Sequence, residues 1–180
     1  MNPIIAIHNR LFSGLERNSN LILPTLARLV FAGVLCGYFW ASASTKLGAS
    51  LFSLSDGAYA QIFPKAFEAA GYDSSQMSIV QSAIALAGTY AEFVLPFLIV
   101  MGLLTRLSAL GMIGFIVVQS LTDIYGHGAD AATIGIWFDR AADGLIADQR
   151  AFWILGLFIL VVKGAGSLSA DRALHQWVSG

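Results

Sequence analysis

MSIVQSAIALAGTYAEFVLPFLIVM at residues 77–101 is followed, after only Gly102 and Leu103, by LTRLSALGMIGFIVVQSLTDIY at 104–125. Each run supplies the roughly 20 mostly apolar residues that a helix needs to cross a hydrocarbon core about 30 Å thick. Two connecting residues leave room for a turn and nothing more. The pair therefore reads as a tight antiparallel helical hairpin with Thr105 and Arg106 at its interface.

Two further stretches qualify as spans. One covers 23–47, with Pro24 suited to a first helical turn. The other covers 149–166 and is short, with Arg150 and Lys163 placed to snorkel from its ends. Composition agrees: the 180 residues are 57% hydrophobic and 12% charged, where a soluble domain carries roughly 25% charged residues. Mean hydropathy is +0.71. The predicted fold is all-α, one integral membrane domain over 1–180 built as a four-helix bundle with interfacial amphipathic helices.

Three segments outside the spans carry helical amphipathic spacing. Residues 1–20 place Ile4, Ile7, Leu11, Phe12 and Leu15 on one side. In the loop before the last span, Ile134, Trp137, Phe138, Ala141, Leu145 and Ile146 share a face. In the first loop Tyr59, Ile62, Phe63 and Phe67 do the same, with Pro64 interrupting a long helix. Such segments lie in the headgroup plane, and the two loop segments are placed to cap the bundle. A short C-terminal interfacial helix is expected over 169–178, with Ser169 as its N-cap.

Several functions are excluded. The net charge of −1 gives no basic face for nucleic acid. Cys36 is the single cysteine, so an internal disulfide, a CxxC pair and a cysteine zinc site are out. The N-terminus lacks the continuous apolar run of a cleaved signal peptide.

With both termini on one side, that side holds Arg10, Arg17, Arg28, Arg106, Lys163 and Arg172. The other holds Lys46, Lys65, Arg140 and Arg150. Basic residues favour the cytoplasm, so both termini are expected there.

Ionisable residues at membrane depth cost about 2.5–3.5 kcal/mol each on insertion scales and normally face the bundle with partners. Arg28 and Lys46 fall on one face of the first span. Gln81 and Glu92 fall on one face of the second, with Ala85 and Gly88 between them. These stripes predict an inner Arg28–Glu92 ion pair and an outer cluster of Lys46, Gln81, Gln119 and Asp123. Gln119 and Asp123 are one helical turn apart. The polar residues either fix helix packing or line a small-molecule pocket beneath the amphipathic loops. A proton path is disfavoured, because the residues between the inner and outer groups are mostly apolar. Asp123, His127 and Asp130 have spacing compatible with metal ligands and equally with a polar loop, and no metal site is assigned.

The chain resembles the DoxX family of small bacterial membrane proteins. The resembling pieces are LARLVFAG at 26–33, STKLG at 44–48, AEFVLPFLIVMGLLTRLSALG at 91–111 and KGAGSLSADRAL at 163–174. The resemblance implies a four-helix bundle in the bacterial inner membrane and a recurrent polar signature at Arg28, Lys46, Glu92, Arg106 and Asp171. More loosely it implies a redox setting, since one related group is a membrane subunit of thiosulfate:quinone oxidoreductase and others accompany oxidative-stress or metal-handling assemblies.

Two functions follow as expectations. The first is a membrane subunit or anchor of a redox or metal-handling assembly, with Lys46, Gln81, Gln119, Asp123 and Tyr125 as ligand-binding candidates. Quinone is the possible cofactor, walled by Phe39 and Trp40, with none bound covalently. The second is a non-enzymatic scaffold or small-solute transporter. No self-contained catalytic motif is present. Partners expected are the lipid bilayer and other membrane or periplasmic proteins, with homo-oligomers possible.

Overall fold

The computed structural model describes residues 2–179. Helix α1, Pro3–Arg17, starts at Asn2, whose side chain accepts the Ile4 N–H, with proline in the first turn. It leads into α2, Ser19–Lys46, the first of four helices long and apolar enough to cross a membrane. The others are α5, Ile79–Met101; α6, Thr105–Gly126; and α8, Leu145–Lys163. The chain is a multi-pass membrane protein. Short helices α3, Asp56–Ile62, and α4, Pro64–Ala69, occupy the first long loop, and α7, Ala131–Ile134, opens the second. Helix α9, Ala170–Ser179, ends the description.

The spans pack as a ring in which α2 touches α5, α5 touches α6, α6 touches α8 and α8 returns to α2. Phe31, Leu35, Phe39, Ile99, Ala109, Met112, Ile116, Leu157 and Leu160 fill the centre. The outward faces carry exposed Leu29, Val34, Val94, Leu107, Leu110, Phe152 and Phe158, as lipid solvent requires. The α5–α6 turn and both termini share one side, the terminal face; the two long loops share the other, the loop face.

Local chemistry sets the helix ends. Ser78 and Gln81 form a reciprocal capping box at the start of α5, satisfying two backbone donors that the first turn leaves free. Gly102, at φ +67°, ends that helix in the left-handed conformation a glycine adopts without penalty. Pro96 sits buried within α5 and cannot donate to the carbonyl one turn back. The indole N–H of Trp40 bonds the neighbouring Phe93 carbonyl at 3.1 Å.

The loop helices are more deeply packed than headgroup-plane segments. Tyr59 and Phe67 are buried against Ala85 of α5, with Leu54, Ile62, Phe63 and Met77 around them. The Tyr59 hydroxyl hydrogen-bonds Ser82 at 2.9 Å. Phe63 separates α3 from α4, where Pro64 starts a new helix.

The second loop differs from expectation. Its helical spacing continues only to Ile134. Gly135–Gly144 is irregular, and Leu145 and Ile146 belong to the last span, which starts before Gln149. Asp148 and Trp137 explain the change: the Asp148 carboxylate accepts the Gly144 N–H, and the Trp137 indole donates to the Ala147 carbonyl. Together they anchor a first turn that apolar patterning alone does not mark.

Candidate functional site: a cavity between the second and third spans

Side-chain direction decides the ion pairs. A helical side chain leans toward the N-terminus of its own helix. Lys46, at the loop end of α2, leans back into the bundle, and Glu92 on antiparallel α5 leans outward to meet it. The ammonium lies 3.0 and 2.8 Å from the two carboxylate oxygens. It also donates to the Ser42 hydroxyl at 2.7 Å, and that hydroxyl reaches the carboxylate at 3.4 Å. Both charged groups are buried.

The expected Arg28–Glu92 pair is therefore corrected. Arg28 leans toward the terminal face, away from Glu92. Its guanidinium instead donates to the carbonyls of Ile99, Val100, Ala165 and Leu168. Ile99 and Val100 lie in the last turn of α5, where carbonyls have no partner within the helix. Asp171 makes the complementary contact, accepting the Leu104 and Thr105 N–H groups at the start of α6. The charged signature at this end is a clasp on helix termini.

The expected outer cluster also divides. Asp123 pairs with Arg150, not Lys46. Arg150, expected to snorkel, is 2% exposed: its Nη1 donates to Ser120 Oγ at 2.9 Å and its Nη2 to Asp123. Its guanidinium carbon stands 6.0 Å from the Trp153 ring centroid, at the limit of a cation–π contact.

Between these two pairs, α5 and α6, with residues of α2 and α8, border a partly open cavity of about 780 Å³. Its walls are apolar or small: Ile84, Ala87, Gly88, Leu95, Gly114 and Phe115. Its polar lining is Tyr38, Ser42, Lys46, Glu92, Gln119, Asp123 and Arg150, and its rim on the loop face includes Gln61, His127 and Thr133. Glycines make the space, since a Cβ on Gly114 would meet nothing within 4 Å. His127 Nε2 bonds the Gln61 carbonyl at 3.1 Å, tying the two loops across the rim.

Of the sequence-predicted ligand candidates, Lys46, Gln119 and Asp123 line this cavity. Gln81 does not, being committed to its capping box. Tyr125 is 69% exposed and outside the lining. Phe39 is in the core and Trp40 on the α5 backbone, so neither is a wall. Among Asp123, His127 and Asp130, the first holds Arg150, the second Gln61, and the third caps α7. Backbone and side-chain hydrogen bonding from Thr133 holds the Asp130 carboxyl below the usual aspartate range.

Sequence reasoning misses Tyr38. The Gln119 side-chain amide donates to its hydroxyl at 3.0 Å, and Tyr38 packs on Trp153. A signal for it exists, because Tyr38 and Ser42 are one turn apart and Ser42 is one turn from Lys46.

Two buried polar atoms at the cavity lack protein partners: Gln119 Oε1 and Arg150 Nε. A buried polar atom left unbonded costs about 1–3 kcal/mol, and both atoms are closed to solvent, as are Thr25 Oγ1 and Thr105 Oγ1 away from the cavity.

A family model described as DoxX matches residues 23–122. The chain belongs to the DoxX family. The matched segment holds α5, most of α2 and α6, the Lys46–Glu92 pair and Gln119; Asp123, Arg150 and the carbonyls of Ala165 and Leu168 lie beyond it. This DoxX protein has no match among curated proteins and none among solved structures.

Proposed function

We propose that this DoxX-family protein is a membrane subunit that holds a quinone-class headgroup in the cavity between α5 and α6 for a redox partner. The observation that carries the reading is the lining itself: apolar walls beside Tyr38, Gln119 and two internally neutralised charge pairs. A neutral ring with hydrogen-bonding oxygens and an apolar body matches that lining. A bound quinone supplies two-electron, two-proton chemistry. The residues contribute binding: the Tyr38 hydroxyl and the Gln119 side-chain amide are the uncharged polar groups of the lining, and Phe115 and Leu95 are apolar surface.

Lys46 is not a free donor, since Glu92 and Ser42 occupy its ammonium. The terminal half of the bundle is filled by Phe31, Leu35, Ile99, Ala109 and Met112. A cavity that ends on packed side chains favours a holding site over a solute path.

The setting we propose is the bacterial inner membrane with both termini cytoplasmic. Lys46 and Arg150, two of the four basic residues toward the loop face, are buried in ion pairs. That leaves Lys65 and Arg140 in the loops, against Arg10, Arg17, Arg106, Lys163 and Arg172 on the terminal face. The bias matches the positive-inside rule.

The test is solvent extraction of protein purified in mild detergent, with mass spectrometry of the extract and titration with a short-chain quinone. Saturable binding at about one ligand per chain is expected. Absence of both copurified and titrated ligand would remove this reading.

A further inference from the structure

We infer that the cavity opens sideways into the bilayer between α5 and α6, and that its ligand is a membrane-resident amphiphile whose apolar chain lies in that opening. The inference rests on the ligand reading above and adds the ligand's chain and its route of entry.

Helix phase carries the argument. With 3.6 residues per turn, the cavity-lining Glu92, Gly88, Leu95, Ala91 and Ala87 run in that order around α5, from its buried side to its outward side. Ala87 is nearly two whole turns from Val94, which is exposed on the outward face. On α6 the lining residues Gln119, Phe115, Gly111, Val118 and Gly114 make the same progression. Gly114 is nearly two turns from Leu107 on one side and from Leu121 on the other, both exposed. The cavity therefore reaches the outward side of both helices. Ile84 and Val118, 52% and 62% exposed, stand on its two flanks.

Contacts set the ends of the opening. A Cβ on Gly111 would meet Leu95 Cδ2 at 3.3 Å, so α5 and α6 touch at that level. Just under one turn closer to the loop face, a Cβ on Gly114 would meet nothing within 4 Å, and the helices have parted. The loop end is roofed by protein. Pro64 packs on Gly126, where a Cβ would come within 2.9 Å of its ring, and His127 bonds the Gln61 carbonyl. Lining residues 84–95 and 111–122 each rise about 16 Å, close to half the thickness of a hydrocarbon core. The opening thus lies in the hydrocarbon of the loop-side leaflet.

The solvent at that depth decides what fits. The flanks are Ile84, Ala87, Gly114 and Val118, which carry no polar side-chain atom, whereas Tyr38, Glu92 and Gln119 line the interior. A wholly polar ligand would have to cross hydrocarbon to enter, and a wholly apolar one would leave the interior groups unanswered. An amphiphile meets both conditions. Its polar group enters while its chain stays in hydrocarbon, which is as apolar as the helix surface it replaces. A second copy of the chain does not fit, since a helix is about 10 Å across and these two helices touch one turn below.

The experiment uses the full chain in phosphatidylcholine nanodiscs with a decyl-chain ubiquinone analogue bearing a diazirine at the chain end. Photolabelling is run with and without excess unlabelled decyl-chain quinone, and labelled residues are mapped by peptide mass spectrometry. Displaceable label is expected within 84–91 and 111–118. Ala87→Phe fills the mouth and is expected to weaken displaceable labelling on the order of tenfold. Val118→Phe narrows the mouth from α6 and is expected to act in the same direction. Val94→Phe is in phase with Ala87 but outside the lining, and should leave labelling within about twofold. Equal unfolding midpoints show that the variants fold.

Displaceable label on Gln61, His127 or Thr133 instead, with the two mouth variants without effect, would overturn the lateral opening and leave the ligand reading standing. A dimer that Ala87→Phe converts to monomer would assign the opening to a second copy and overturn the inference. No displaceable label at any residue would sink both.

Discussion

Lys46 Nζ and Glu92 Oε2 lie 2.8 Å apart inside the bundle, brought together by antiparallel helices whose side chains lean in opposite directions. The pair lines the cavity and joins α2 to α5. Removing one partner leaves an uncompensated buried charge, which costs about 3–5 kcal/mol. Glu92→Leu and Lys46→Met are each expected to lower the unfolding midpoint in detergent strongly. The double variant is expected to recover part of that loss, since a well-packed apolar pair can match a buried ion pair. Additive losses in a thermal-unfolding cycle would contradict a direct pairing.

Arg28 offers a second test. It serves four carbonyls with a fork of N–H donors, a geometry an ammonium cannot reproduce. Arg28→Lys keeps the charge and is expected to cost about 2 kcal/mol, measured as a lower midpoint. It should also increase protease access near Gly166–Ser169, because Ala165 and Leu168 lose their donor.

Gly102 stands where that clasp closes. A Cβ there would come within 2.7 Å of Ser169 Cβ and 2.8 Å of Arg28 Cζ, on a backbone with φ +67°. Gly102→Ala is expected to destabilise by about 1–3 kcal/mol through left-handed strain and displacement of the clasp. A neutral effect in the same unfolding assay would contradict the close approach.

The loop rim has a pH dependence with a definite sign. Hydrogen bonding from Thr133 depresses the Asp130 carboxyl in the folded state. Its contribution is therefore present above the ordinary aspartate pKa and is lost as pH falls through the depressed folded value. Hydrogen exchange at the Thr133 amide, compared with Asp130→Asn, should show loss of protection on acidification in wild type only.

The spans and hairpin are legible in the sequence because apolar length is a direct consequence of bilayer thickness. The inventory of buried charges is legible for the same reason, since a charge among apolar residues stands out. Which charge meets which is not. Matching Arg28 to Glu92 by depth along straight helices ignores the backward lean of helical side chains, which sends these two apart and brings Lys46 to Glu92. Arg150 escapes a snorkelling assignment because the first turn of α8 is built by Asp148 and Trp137 contacts, not by hydrophobic periodicity. Gln81 illustrates a different gap: its S-x-x-Q capping signature is visible, but its place on a facing polar stripe makes it resemble a ligand group. The cavity itself cannot be read from sequence, because its lining gathers residues far apart in the chain, among them Gly88 of α5 and Gly114 of α6.

The most direct measurement uses that empty space. Gly114 lines the cavity, and a Cβ added there would meet nothing within 4 Å; leucine also favours a helix over glycine by up to about 1 kcal/mol. Gly114→Leu should therefore fold at least as well as wild type while filling the site. Binding of a short-chain quinone to the two proteins, with their unfolding midpoints, decides the matter. A loss of affinity of about tenfold or more at an equal or raised midpoint is the predicted result, and undiminished binding by the stable variant would contradict a ligand site between these helices.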